Sequence, residues 1–162
     1  MKFLTIDDFD FKGKTVFLRV DMNCPIDPDT LEISGTKRIE EIVETINSLN
    51  NAKIIIASHQ GRVGNKDYTG MEKHAKVLEE LLGRKVIHVS DVMGSAAQDK
   101  IKKLNDGEIL LLDNLRLSSN RISPSFSFFI SFWAAAPITS LTYVTFLPNN
   151  FSSTIACFSI PV

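Results

Sequence analysis

Cysteine is nearly missing from this chain: Cys24 and Cys157 are the two among 162 residues. They are isolated and lack metal-type spacing, so neither a disulfide framework nor a zinc site is suggested. An excess of positive charge is missing too. The net charge is −1, which gives no reason to expect nucleic acid or an anionic membrane as a partner. The first residues, Met1-Lys2-Phe3-Leu4-Thr5-Ile6-Asp7-Asp8, turn acidic too soon for a signal or transit peptide. Two common nucleotide motifs, Gly-x-x-x-x-Gly-Lys-Ser/Thr and Gly-x-Gly-x-x-Gly, are also missing. These absences leave a cytoplasmic globular protein as the expectation. Its length suits one domain that buries a core without covalent staples.

Charge is also missing from one end. Residues 1–116 carry charges evenly, whereas from 117 to 162 the one charged residue is Arg121, and Ser, Phe, Thr and Pro dominate. Two kinds of sequence are joined end to end.

What is present begins with Val16-Phe17-Leu18-Arg19-Val20-Asp21-Met22-Asn23-Cys24-Pro25. An apolar strand-like run leads into Arg19, Asp21 and Asn23 at spacing two, which puts all three on one face of an extended chain. Pro25 ends the strand. Taken alone, this stretch is equally one wall of a polar site or a strand fraying into solvent. Strands are expected over about 15–20, 53–57, 84–89 and 108–112, the second being a continuous β-branched run suited to burial on both faces. Helices are expected between them. The first is capped by Thr36 or Ser34 and buries Ile39, Ile42, Val43, Ile46 and Leu49 before stopping at Asn50-Asn51. The second opens on a Thr69/Glu72 capping box and ends at Gly83. The third spans about 95–104. Leu31-Glu32-Ile33, after the Asp27-Pro28-Asp29-Thr30 turn, is no more than a hairpin edge.

Alternating strands and helices predict an α/β fold, a Rossmann-like parallel sheet with helices on both faces. Right-handed crossovers place all the strand C-termini on one edge, where open α/β sheets bind ligands. Arg19, Asp21, Asn23, Arg38, His59, Arg62 and Arg116 fall at or just beyond that edge. Four arginines and a histidine suit a small, strongly anionic ligand, because the guanidinium fork gives paired, charge-assisted hydrogen bonds. Gly61 and Gly64 let the backbone come close. Each residue alone has a plainer reading: His59 an ordinary loop histidine, Arg62 a surface charge, Arg116 a surface partner of Asp113. Arg38 would be a solvated helix residue, although a cation in a first turn opposes the helix dipole. Only their convergence carries weight. Lys37, Lys53, Lys66 and Lys73 read as solvated, His74 and His88 as structural.

These residues also carry a resemblance. Arg19-Val20-Asp21-Met22-Asn23-Cys24-Pro25 resembles the Arg-Val-Asp-Phe-Asn-Val-Pro motif of phosphoglycerate kinases. Ser58-His59-Gln60-Gly61-Arg62 is similar to that family's Ser-His-Leu-Gly-Arg, and Arg38-Ile39 matches its Arg-Ile pair. Leu112-Asp113-Asn114-Leu115-Arg116 is similar to its Leu-Glu-Asn-x-Arg. Order and spacing agree over 1–116, and the Asp-Pro-Asp-Thr insertion resembles the archaeal branch. The resemblance implies a two-domain glycolytic kinase that moves phosphate between 1,3-bisphosphoglycerate and Mg-ADP, giving 3-phosphoglycerate and Mg-ATP. Residues 1–116 would be part of its phosphoglycerate-binding N-terminal domain. It further implies a substrate-binding set of Arg19, Asp21, Met22, Asn23, Arg38, His59, Gln60, Gly61, Arg62 and Arg116. Arg38 would be catalytic, steadying the transferring phosphoryl group. A monomer is implied, with the small phosphoglycerate as partner and no nucleic acid or membrane.

Val63 and Asp113 depart mildly from the family pattern, which has proline and glutamate there. After Leu117 the match is expected to stop, leaving out a further substrate arginine and the whole nucleotide-binding C-terminal domain, so this chain is expected to be inactive alone. The alternative is a non-catalytic anion-binding module or the product of a decayed gene. For the tail, 117–162, three readings compete. It is an uncharged membrane span over 125–146, a closing segment of the sheet, or a frameshifted translation, which the abrupt loss of charge favours.

Overall fold

The computed structural model describes residues 6–49 and 51–116, together with the backbone of Ser140–Thr145 and Phe158–Pro161. A 3-10 turn (Ile6–Asp8) leads to a tight turn in which Lys14 N–H donates to Phe11 C=O (3.0 Å), with Gly13 at φ +69°. The elements then alternate: β1 (Thr15–Arg19), α1 (Lys37–Ser48), β2 (Lys53–Ala57), α2 (Glu72–Leu82), β3 (Val86–Val89), α3 (Ser95–Lys102) and β4 (Ile109–Leu112). Beyond these, β5 (Ser140–Thr145) and β6 (Phe158–Pro161) complete a six-stranded sheet ordered β3-β4-β2-β1-β5-β6. Strands β1 to β5 run parallel and β6 pairs antiparallel to β5. The register aligns Val16 with Ile54 and Ile54 with Ile109.

The pleat sorts the strand residues onto two faces. Val16, Leu18, Ile54, Ile56, Ile109 and Leu111 pack with Ile39 and Ile46 of α1 and Ala75 and Leu78 of α2. Phe17, Ile55, Ala57, Leu110 and Leu112 pack on the other side with Ala97 and Ile101 of α3. Both faces are therefore covered, which is why β2 and β4 are apolar at every central position. The expected α/β architecture is present.

Element ends differ from the sequence expectation for local reasons. Thr36 is the N-cap of α1, yet its hydroxyl donates to Glu40 Oε1 (2.5 Å) and accepts no helix N–H. The Thr69/Glu72 capping box does not form. Met71 is the N-cap, its N–H is taken by Asp113 Oδ1 (2.9 Å), and Glu72 pairs instead with Lys76 (3.0 Å). Gly83 stops α2 as expected, at φ +63° with its N–H on Glu79 C=O (2.9 Å). Arg84 stays out of β3, its guanidinium reaching Gly107 C=O (3.4 Å) and Ile46 C=O (3.3 Å). Helix α3 tightens into i−3 hydrogen bonds at Lys103 and Leu104 (3.2 Å each) and so ends before them. Lys73 is not simply solvated: its ammonium holds Leu31 C=O (2.8 Å) and Glu32 Oε1 (2.6 Å), tying the 26–33 hairpin to α2.

In the tail, two segments lie in the sheet, as the closing-segment reading requires. Most of the 125–146 stretch considered as a membrane span, and Asn50 at the end of α1, lie outside the described residues. Among the described residues no helix is long and apolar enough to cross a membrane.

Candidate active site

Strands β1, β2 and β4 are adjacent and parallel, so their C-terminal connections meet on one edge. The chain after β1 alternates in the pleat's manner. Val20, Met22 and Cys24 are buried at 4%, 0% and 3% exposure, while Arg19, Asp21 and Asn23 face outward. The three polar residues of the opening motif therefore share one face, as spacing two predicts. Met22 does not join them. Its side chain lies in the core and its N–H is taken by Ser58 Oγ (2.9 Å).

The loop after β2 is the anchor for the other two. Ser58 Oγ also donates to Val20 C=O (2.9 Å). Gln60 is wholly buried, its Oε1 accepting from Cys24 N–H (2.9 Å) and its Nε2 donating to Cys24 C=O (3.0 Å) and Asp67 C=O (3.2 Å). A fully engaged amide is scaffold, so Gln60 supports the site from beneath. These bonds orient its oxygen toward His74 Nε2 (3.0 Å), which makes that nitrogen the donor. Asn23 Oδ1 accepts Gly61 N–H (2.8 Å), and Leu115 N–H donates to Ser58 C=O (3.0 Å).

On this frame the charges converge. His59 is half-buried and feels Arg116, Arg19 and Arg38, with Asp21 opposing them. Burial and these guanidinium groups push its imidazole below the ordinary histidine range, so it is neutral at pH 7, able to donate with one nitrogen and accept with the other. Arg38, in the first turn of α1, forms an ion pair with Asp21, which offsets its unfavourable place on the helix dipole. Both side chains are more than one third exposed (47% and 36%), so the pair is worth at most about 1 kcal/mol. Arg116 does not pair with Asp113 in the way its plainer reading had it. Its guanidinium donates to Gly61 C=O, its N–H to Asn114 Oδ1 (3.0 Å), and its C=O accepts the Tyr68 hydroxyl (2.9 Å). Asp113 faces His88 (3.7 Å) and accepts Met71 and Asn114 N–H groups. Burial raises its carboxyl, but His88 and these donors outweigh that and hold it below the usual range. Arg62 is exposed, on the turn closed by a hydrogen bond from Asn65 N–H to Arg62 C=O (2.9 Å).

The edge thus gathers Arg19, Asp21, Asn23, Arg38, His59 and Arg116 around a backbone turn at Gly61. Three cations and a neutral imidazole beside one carboxylate can take a small anion that carries phosphate and carboxyl groups. Among the described residues no cluster of three or more His, Cys, Asp or Glu is arranged for a metal. The contribution of Asn114, buried beneath the edge, went unread in the sequence because its partners come from distant segments.

Known proteins resemble this chain in sequence and fold. The family model described as phosphoglycerate kinase matches residues 6–135, nineteen positions beyond Arg116. The phosphoglycerate kinase of Methanococcus maripaludis is 46% identical over 122 residues, 74% of this chain and 30% of the relative. That of Thermoplasma volcanium is 40% identical over 120 residues, 74% of this chain and 29% of the relative. The crystal structure of phosphoglycerate kinase from Pyrococcus horikoshii superposes with a TM-score of 0.75 at 35% identity, covering 86% of this chain and 36% of that one. The Coxiella burnetii enzyme, at 21% identity and a TM-score of 0.65, shares the fold. The chain therefore spans less than a third of the length of these curated relatives. Over the part it does span, the family match, the identity to these relatives and the superposition agree, and the chain belongs to the phosphoglycerate kinase family.

Proposed function

We propose that residues 1–116 form the phosphoglycerate-binding part of a phosphoglycerate kinase, taking 3-phosphoglycerate or 1,3-bisphosphoglycerate at the C-terminal edge of the sheet. The observation that carries this is the convergence of Arg19, Arg38 and Arg116 on the half-buried, neutral His59. In this reading Arg19, His59 and Arg116, with Arg62 at the rim, receive the phosphate. Asp21 and Asn23 hold the glycerate hydroxyl and carboxyl, and Gly61 lets the loop backbone approach. Arg38 is the catalytic residue. On substrate binding it leaves Asp21 and neutralises charge on the phosphoryl group being transferred, and phosphoryl transfer needs chiefly such positioning and charge neutralisation. Met22 and Gln60 act through the frame beneath the site. Residues 1–162 carry neither of the common phosphate-cradling glycine motifs, so Mg-ADP or Mg-ATP is assigned to none of them. A polypeptide of these residues is expected to bind without turnover.

Calorimetric titration of the 162-residue chain with 3-phosphoglycerate tests this reading. Binding is expected, weakened about 10- to 100-fold by Arg116→Ala, as for loss of a charge-assisted hydrogen bond. No phosphoglycerate-dependent ATP consumption is expected. Equal affinity in the Arg116→Ala variant would remove Arg116 from the site, and turnover abolished by Arg38→Ala would overturn the expected inactivity.

A further inference from the structure

We propose that Asn114 is a positioning residue for this edge, its buried carboxamide setting where Arg116 stands against the Gly61 loop. Asn114 has no solvent exposure. Its Nδ2 donates to Gln60 C=O and Thr69 C=O (2.7 Å each), and its Oδ1 accepts Arg116 N–H (3.0 Å). One side chain thus joins the loop after β2, the lead-in to α2 and the segment after β4. Only a primary amide offers two N–H donors and an acceptor in so small a planar group. Aspartate has the shape but no donor when ionised, and would set its charge against two carbonyl oxygens. Alanine would leave both carbonyls and the Arg116 N–H without these buried partners.

The consequence falls on one arginine. Arg116 is gripped at its N–H by Asn114, at its C=O by Tyr68 and at its guanidinium by Gly61 C=O. Asn114 controls the first grip directly. It also controls the third, because Gln60 C=O, which it holds, is the peptide oxygen joined to Gly61. Arg116 is in turn the arginine acting most strongly on His59. Loss of the carboxamide is therefore expected to displace Arg116 and leave Arg19 and Arg38, which sit on other segments, in place.

The test is the arginine Nε–Hε spectrum of the nitrogen-15-labelled 162-residue chain, with Arg116 assigned by its Arg116→Ala variant. Asn114→Ala is expected to move the Arg116 signal while the Arg19 and Arg38 signals stay. An unmoved Arg116 signal, or a common shift of all arginine signals, would overturn the proposal. Should Asn114→Ala give no dispersed amide spectrum, Asn114→Ser, which keeps one donor, carries the same comparison. A second readout rests on the proposed substrate. Asn114→Ala is expected to weaken 3-phosphoglycerate about tenfold, but less than about twofold when Arg116 is already alanine. Equal losses in both backgrounds would contradict action through Arg116. Failure of the unsubstituted chain to bind would count against the substrate reading, and the spectrum would still decide the role of Asn114.

Discussion

Acidification from pH 6.5 to pH 4 is expected to destabilise the folded chain by about 3 kcal/mol through His74 alone. His74 is wholly buried beneath the β2 loop, and burial lowers its pKa from 6.5 to about 4. Below pH 6.5 the unfolded chain takes up a proton that the folded chain refuses until about pH 4, so the full stability is present above 6.5 and falls through that window. Below about pH 4 both states are protonated and the histidine contributes no further slope. His59, whose pKa is also lowered, adds loss of the same sign. Asp91 and Asp113, held below their ordinary value of 3.8, add theirs only at more acid pH. Urea midpoints at pH 7, 5.5 and 4.5 measure the effect. His74→Gln should flatten most of the slope, and an unchanged slope in that variant would assign the acid lability elsewhere.

The second large effect is expected at Gly61. Its φ is +62°, and a Cβ built there would lie 2.4 Å from Asp67 O and 2.7 Å from Tyr68 N, both backbone atoms. Backbone cannot rotate out of the way as a flexible side chain can. Gly61→Ala is therefore expected to cost about 2–4 kcal/mol, combining left-handed strain with a forced loop shift. The shift also disturbs the Gly61 N–H held by Asn23 and the Gly61 C=O held by Arg116, so anion binding should weaken with stability. Gly64 is the control. It has φ +87° with nothing within 4 Å of its Cβ position, so Gly64→Ala should show backbone strain alone, about 1 kcal/mol. Equal losses at the two glycines, measured by urea denaturation, would refute the contact argument.

How far these features were legible depended on the distance over which each is determined. The sheet was legible because burial on both faces demands unbroken apolar runs such as Ile54-Ile55-Ile56, and the helices because Ile39, Ile42, Val43 and Ile46 recur on one face. The gathering of polar residues at the strand ends was legible for the same reason: parallel strands gather their ends, and spacing two sorts Arg19, Asp21 and Asn23 from Val20, Met22 and Cys24. That alternation, applied strictly, also carries Met22 into the core, although the linear motif suggested a ligand contact. The residues misread in the sequence are those whose partners are distant. Asp113 reaches 42 positions back to Met71 and so displaces the local Thr69/Glu72 cap. Lys73 reaches 42 positions back to Leu31, and Asn114 bonds across 54 positions to Gln60. No local pattern encodes such bonds.

The most direct test of the substrate site is amide chemical-shift mapping of the chain as 3-phosphoglycerate is added. Salt-sensitive shifts are expected, confined to the C-terminal edge, at Arg19 to Asn23, Arg38, His59 to Arg62 and Asn114 to Arg116. Shifts centred on the opposite edge, around Gly13 and Gly107, or none at millimolar ligand, would contradict it.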